Sequence, residues 1–379
     1  MTAMNMTSTS SPLTENKFAA SDRRLVERIL AAYNLHAAQV LPPQKGYRNQ
    51  SFPILLNDGQ KINLILYKIE PGIVTRIKNA NRVADYAATH GLPARRTFRP
   101  NIIRLTNGAQ EKFGCLYEYL PGDTIPWEAY TRAHLKVLGH TMGELHHVLQ
   151  GVSVAPTVTD EYTSALMRMQ RYFCDAAVQQ AIRTKLQVTL PQTIFANNLR
   201  LLKICEKLPG QQTLHMDFVR GNILFQNSAV QAPWPTEPPA DWRHPRQRRP
   251  HPRGLNESAG GLVGQGAVYE KNLHISGILD FEKTAHGHRL FDLARTLAFL
   301  LVDCKYKSEA DIYRFFIESG YCTRGRMPRP HAELLEALTN LFLLHDFYKF
   351  LRHNPYESLA HNEHYLRTRD LLIKKRLLR

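Results

Sequence analysis

At 379 residues the chain is longer than one small core usually needs, so two lobes or domains are expected. Its 43% hydrophobic and 22% charged residues read as an ordinary soluble globular protein, and the longest apolar window, "LARTLAFLLVDC", is too short and interrupted to span a bilayer. The formal charge of +16 favours anionic partners such as nucleotides, phosphorylated substrates or nucleic acid, with a basic surface of no function as an equal alternative.

Five cysteines, Cys115, Cys174, Cys205, Cys304 and Cys322, stand alone, with no C-x-x-C pair. That argues against a disulfide framework and a structural zinc site, and fits a reducing cytoplasm. The Ser/Thr-rich start lacks an apolar h-region and does not read as a signal peptide; residues 1–20 are expected to be disordered. The histidines at 286, 288, 361 and 364 have no neighbouring ligands in sequence, so solvated side chains are favoured over a metal site.

In chain order, Ser21 is positioned to cap a helix carrying Leu25, Ile29, Leu30 and Tyr33 on one face. "GYRNQSFPILLNDGQKINLILYK" reads as a hairpin: "FPILL", a turn at "NDGQ", then "INLILYK". Alternation puts Ile62, Leu64, Leu66 and Lys68 on one face, and a lysine ending an apolar face calls for an anionic partner. Pro71 suits a first helical turn, Ile73, Ile77, Ala80, Ala84 and Ala87 repeat at helical spacing, and Gly91 closes that helix. "NIIRL" and "FGCLYEYL" read as strands, and "PGDT" as a hinge. A helix over 132–149 carries Leu135, Leu138, Met142, Leu145 and Leu149; two more are expected at about 161–187 and 192–208. The Pro/Arg/Gly-rich stretch at about 228–265 reads as a disordered insertion. Two short strands follow in "AVYEKNLHISGILDFE", then a helix with Asp292 near its N-cap, then basic helical sequence to the end. The order gives an α+β plan with two lobes: 21–121, rich in strands, and 122–379, mostly helical.

Four features combine into one chemistry: Lys68 at a strand end, His215, Asp217 and Asn222 spaced as H-x-D-x-x-x-x-N, Asp280 at the end of the "ILDFE" strand, and the turn "GYRNQS" before the lysine strand. Phosphoryl transfer from ATP uses a lysine on the phosphates, a carboxylate facing the acceptor hydroxyl, and an amide oxygen with a second carboxylate on Mg²⁺. "LHMDFVRGNILF" followed by "ISGILDFEKTAHGHRLFDLA" resembles the aminoglycoside phosphotransferase and choline kinase superfamily, as do "GELHHVL" and "GLPARR". The likeness covers roughly residues 44 to 305.

The resemblance implies a protein-kinase-like fold with a small antiparallel-sheet N-lobe that binds nucleotide and a larger, mostly helical C-lobe. It makes Asp217 the catalytic base, with His215 bracing its loop, and Asn222 and Asp280 the Mg²⁺ ligands. It puts Lys68 on the ATP phosphates, with Asn49 and Ser51 beside the hairpin turn, and offers the backbone of Tyr117, Glu118, Tyr119 and Leu120 to adenine. Asp292 would brace or cap near the loop, and Glu282 would lie close to the metal. The family's small-lobe helix glutamate is missing: Asn79, Ala80 and Asn81 occupy its place, with Asp85 and Glu70 the nearest acids.

The leading reading is an ATP- and Mg²⁺-dependent kinase acting on a hydroxyl of a small molecule. The missing glutamate favours the alternative, a kinase-like nucleotide-binding scaffold. A protein kinase fits less well: Met216 stands where those enzymes carry arginine, "DFE" replaces D-F-G, and no A-P-E segment is present. The arginines between 243 and 253 and the amphipathic end "YLRTRDLLIKKRLLR" offer nucleic acid or a membrane surface a foothold; a solvated loop and a docked last helix are favoured instead.

Overall fold

The computed structural model describes residues 20–45, 49–107, 110–227, 272–323 and 326–379. Residues 1–19 of the expected disordered N-terminus and the insertion lie outside the described residues, as do Gly46, Tyr47 and Arg48 of the "GYRNQS" turn. Contacts divide the chain into two compact units. The first comprises residues up to 69 together with 103–119; the second takes 70–102 and, among the described residues, everything from Leu120 onward. The sequence places 70–102 with the sheet, whereas its contacts assign it to the helical unit.

In the first unit, helix α1 (Ala20–Ala31) buries Val26, Ile29 and Leu30. It has already begun at Ala20, so Ser21 lies within it rather than capping it. Strands β1 (Ala37–Val40), β3 (Gln50–Leu56), β4 (Lys61–Tyr67), β6 (Gln110–Glu118) and β5 (Ile103–Asn107) pair in that order, with the short β2 (Gln44–Lys45) against β3. All pairs are antiparallel.

The β3–β4 hairpin closes at the predicted turn. Gly59 supplies the left-handed φ of 84°, and the Asp58 carboxylate accepts from Gln60 N at 2.9 Å. β4 is central in the sheet, and Ile62, Leu64, Ile65, Leu66 and Tyr67 are all buried, so both faces are covered at its end. Lys68 follows the strand and is exposed, which removes the expectation of a lysine closing a buried face.

The second unit opens with α2 (Ile73–Thr89). It starts after Gly72, whose φ of 73° makes the N-cap, so Pro71 lies just outside. Ile73, Ile77, Ala80, Val83, Ala84 and Ala87 form its buried stripe. Helix α3 (Arg132–Leu149) buries the five predicted apolar positions, and Thr131 caps it. At Gly139 a Cβ would come 2.1 Å from Phe316 O, so only glycine lets the π-helical segment Tyr313–Tyr321 approach this closely.

The helix expected at 161–187 is divided into α4 (Val158–Phe173), α5 (Ala176–Ala181) and a π turn over Ile182–Leu186. The break comes at Asp175, whose side chain accepts from Val178 N at 3.0 Å and starts a new helix. Helix α6 (Thr193–Glu206) follows.

Two antiparallel ribbons come next. β7 (Gln211–Leu214) pairs with β10 (Ala285–His288), and β8 (Ile223–Asn227) pairs with β9 (Leu273–Ile278). β10 replaces the expected solvated "HGH": His288 is buried, because the strand turns it toward the core. "PGDT" is tied down too, since Asp123 exchanges both backbone hydrogen bonds with Phe225 of β8. Gly122 has φ 116° and a Cβ there would meet Ser276 Oγ at 2.2 Å.

The chain ends in α7 (Leu290–Asp303), α8 (Glu309–Ile312), α9 (Arg329–His353), α10 (Tyr356–Leu359) and α11 (Glu363–Lys374). The basic last helix docks by Tyr365, Thr368 and Leu372, and His364 pairs with Asp303 at 2.7 Å.

Candidate functional site

The ribbons make the site. β7 leads into residues 215–222 and then β8; β9 leads into 279–284 and then β10. Because β7 pairs with β10 and β8 with β9, the two connecting loops are held against each other at their ends. The 58 residues separating Asn222 from Asp280 (280 − 222) do not matter to this geometry, since the pairing fixes both loop ends.

His215 is fully buried and joins the loops. Its Nδ1 accepts from Asp217 N at 3.1 Å, so the proton belongs on Nε2, which donates to Leu279 O at 3.0 Å. Burial lowers its pKa, which keeps the ring neutral in this brace. His215 is a positioning residue here.

Asp217 is buried, with 7% exposure, yet ionised. Its Oδ1 accepts from Lys283 Nζ at 2.7 Å and its Oδ2 from Asn222 Nδ2 at 3.1 Å. Burial alone would raise the carboxyl pKa; the nearby Lys283 and Arg295 charges outweigh it and hold the group below its ordinary value. Asn222 Nδ2 also donates to Asp217 O at 2.9 Å. Both partners are acceptors, which assigns the amide nitrogen to that side and leaves Oδ1 on the other.

Asp280 takes a left-handed φ of 58°, a strained backbone for a residue with a side chain. The adjoining Leu279 N donates to Asn222 O at 2.8 Å. The Asp280 Oδ1 is buried and has no hydrogen-bond partner among the described residues. An orphaned carboxylate oxygen on one loop and the Asn222 amide oxygen on the loop joined to it are hard oxygen donors, a chemistry that fits Mg²⁺. Asn222 and Asp280 are the residues that would hold the ion. Glu282, half-buried, lies in the turn Phe281–Lys283 that follows.

Asp292 is the structural anchor. It is 1% exposed and accepts from His215 N at 2.8 Å, Met216 N at 2.6 Å and His146 Nε2 at 3.1 Å. Burial opposes its charge, but the His146 bond and the donors around it hold its pKa below the ordinary value. The Met216 backbone, at φ 60°, is fixed in place by this carboxylate. His146 in turn meets the Tyr321 hydroxyl at 2.8 Å through Nδ1. Thr296 Oγ1 donates to Phe218 O at 2.8 Å, tying α7 to the residue after Asp217.

The structure therefore brings His215, Asp217, Asn222 and Asp280 together in the helical unit, with Asp292 behind them. The nucleotide residues read from the sequence are placed as follows. In the sheet unit, Lys68 is exposed and its backbone N–H donates to Asn49 Oδ1 at 3.2 Å. Ser51 Oγ donates to Asn63 at 2.8 Å, Tyr117 is buried against Tyr67, and Glu118 is the last residue of β6. Tyr119 N is already committed to Lys61 O at 3.1 Å. Leu120 begins the helical unit. The nearest acids to the missing glutamate are engaged: Glu70 pairs with Arg76 at 2.8 Å, and Asp85 accepts from Thr97 N and Oγ1 at 2.7 Å each.

Sequence reasoning missed Lys283, Arg295, His146 and Thr296. For His146 a signal existed, since it lies four residues beyond Met142 on the buried stripe of α3. For Lys283 none did, because a lysine three residues past an aspartate has no preferred partner until the loops are folded.

Solved structures share this architecture. The amicoumacin kinase hAmiN, in complex with AMP-PNP, Ca²⁺ and Ami, is 14% identical, aligns over 93% of this chain and 94% of its own, and gives a TM-score of 0.59. A microcompartment-associated aminopropanol kinase is 12% identical over 92% of this chain and 95% of its own, with a TM-score of 0.56. The macrolide 2'-phosphotransferase MphH from Brachybacterium faecium is 14% identical over 92% and 96%, with a TM-score of 0.52. The fold is thus the α+β, kinase-like fold of small-molecule phosphotransferases, with an antiparallel sheet in one unit and mostly helices in the other. The profile of the phosphotransferase enzyme family (APH) matches residues 39–232, and the chain belongs to that family. No curated protein matches the sequence. No described helix is long and apolar enough to cross a membrane.

Proposed function

We propose that the protein is an ATP- and Mg²⁺-dependent phosphotransferase that moves the γ-phosphoryl group to a hydroxyl of a small molecule. The observation that carries this reading is Asp280: a strained carboxylate with a buried, unpartnered oxygen, beside an asparagine whose amide nitrogen is already committed to Asp217. A binding module without metal has no use for that oxygen. The solved relative hAmiN was captured with an ATP analogue, which supports the same reading.

In the proposed reaction the acceptor oxygen attacks Pγ, the bond from Pγ to the β–γ bridging oxygen breaks, and its electron pair leaves with ADP. Asp217 orients the attacking O–H and receives its proton as the P–O bond forms. Its depressed basicity suits orientation more than early proton removal, which a loose phosphoryl-transfer transition state does not demand. When bound, Mg²⁺ neutralises charge on the phosphate oxygens. Asn222 and Asp280 would hold the ion, His215 locks the two loops together, and Asp292 fixes the backbone that carries Asp217. This reading assigns Lys68 to the ATP phosphates and the backbone of Tyr117–Leu120 to adenine. The cytoplasm is the proposed compartment.

ADP release from Mg-ATP, with and without a panel of hydroxyl acceptors, tests the reading in wild type and Asp217→Ala. Binding of Mg-ATP without turnover under any of these conditions supports the scaffold alternative instead, which the engaged states of Glu70 and Asp85 keep open.

A further inference from the structure

Three cations, Lys283, Lys349 and Arg295, are set against the carboxylates of Asp217 and Asp346. Lys283 occupies Asp217 Oδ1 at 2.7 Å. On α9, Lys349 occupies Asp346 Oδ1 at 3.2 Å. Arg295 of α7, the neighbour of Thr296, is then left over. Its Nη1 reaches the same Asp346 oxygen only at 3.9 Å, beyond hydrogen-bond range, and its Nε and Nη1 have no hydrogen-bond partner among the described residues. The side chain is 6% exposed, with its guanidinium 4.9 Å from the Phe299 ring centroid and 5.5 Å from that of Phe342.

Three cations therefore share two carboxylates. The other carboxylates of the site are committed elsewhere: Asp292 to His146 and to the His215 and Met216 amides, and Asp280, in the proposed reading, to the metal. Glu161 and Arg168, both exposed on α4, carry opposite charges. His345 is driven to a pKa of about 3 by burial and is neutral at neutral pH. A buried guanidinium without a full counter-charge is costly, and an anion nearby offsets that cost. The opening is provided by the two lysines, whose side chains are 41% and 42% exposed and which act on each other electrostatically.

We propose that the acceptor is a hydroxyl-bearing organic anion, whose carboxylate, phosphate or sulfate group is held by Lys283 and Lys349 in the field of Arg295 while its hydroxyl faces Asp217. The proposal rests on Asp217 being the acceptor-facing carboxylate. Arg295 and Lys349 come from α7 and α9, which carry none of the residues assigned to nucleotide or metal.

The test uses the full-length protein with Mg-ATP and four matched acceptors: glucose, gluconate, glucose phosphate and glucosamine. ADP release and the acceptor-induced shift in melting temperature are both read. The expected result is a kcat/KM for gluconate or glucose phosphate at least about tenfold above that for glucose, with glucosamine no better than glucose. Lys349→Gln lowers the anion's kcat/KM about tenfold and Lys349→Arg restores it, whereas a merely structural lysine would not be rescued in this charge-selective way. Acceptor-free ATP hydrolysis, and its loss in Asp280→Ala, reads the underlying kinase assignment separately. If that hydrolysis is absent, the melting shift still reads the charge preference. Preference for glucosamine, equal response to all four, or no response to either anion in both readouts overturns the proposal. So does a Lys349→Gln defect confined to the KM for ATP.

Discussion

Lys283 Nζ lies 2.7 Å from Asp217 Oδ1, so the carboxylate assigned to the acceptor hydroxyl is paired before any substrate arrives. The pair has two consequences. It keeps Asp217 ionised under a burial that would otherwise protonate it, and it leaves Oδ2 to accept from Asn222 Nδ2 at 3.1 Å.

Replacing Lys283 by methionine keeps the stem and removes the charge. The Asp217 carboxyl then moves up toward its ordinary range, because the largest charge opposing burial is gone and Arg295, with a smaller contribution from His215, is left to oppose it. The acid limb of the kcat pH profile is expected to shift to higher pH, with kcat at neutral pH down about tenfold or more. An unmoved acid limb in Lys283→Met would show that the pair does not set the ionisation of Asp217.

Asp280 predicts an exchange of stability against function. Asp280→Gly relieves the left-handed strain and removes the orphaned oxygen. The free protein is expected to gain about 1 kcal/mol in chemical unfolding, while the extra stabilisation by Mg-ATP and the turnover both disappear. A variant less stable than wild type in the absence of nucleotide would mean that the Asp280 carboxylate has a partner in solution.

Asp292 accepts three hydrogen bonds with two oxygens, and an amide cannot replace it without turning N–H groups toward N–H groups. Asp292→Asn is expected to cost about 1–3 kcal/mol of stability near neutral pH. Its kcat should fall with little change in KM for ATP, since only the loop carrying Asp217 loses its anchor. The folded Asp292 pKa is depressed, so its contribution is present above the ordinary carboxylate range and is lost as pH falls through it. Unfolding curves of the two proteins should therefore converge in acid; a gap that persists would assign the loss to packing.

Buried histidines set a second, higher window. Burial lowers the pKa of His215, and takes His288 to about 4 and His345 to about 3. A depressed folded-state pKa means that the unfolded chain binds protons first, so stability is intact above about 6.5 and declines as pH falls below it. Each such histidine adds a slope of about 1.4 kcal/mol per pH unit. Denaturant midpoints measured from about pH 8 to about pH 5 should show this decline, less steeply in His345→Phe. A flat profile would contradict the buried neutral state.

The elements carried by one dominant period were legible before folding. The stripe of α3, the β3–β4 hairpin with its "NDGQ" turn and the strand "ILF" all follow from spacing and turn chemistry that act within a few residues. So did the family pattern linking His215, Asp217, Asn222 and Asp280. The break at Asp175 was less legible, because a side-chain cap competes with a helical period that runs through it.

The sequence by itself determined the chemistry available to this protein: two loops with a carboxylate each, an amide between them, and the phosphotransferase pattern they share. Tertiary structure alone decided how those groups are electrically set. Lys283 and Arg295 act on Asp217, and His146 on the Asp292 that anchors its loop, across separations of dozens of residues, and no local period encodes such meetings. They are fixed by which ribbons pair and which helices pack. The physical reason is that a charge's effect depends on distance and burial in the folded chain, and neither quantity exists until the chain is folded.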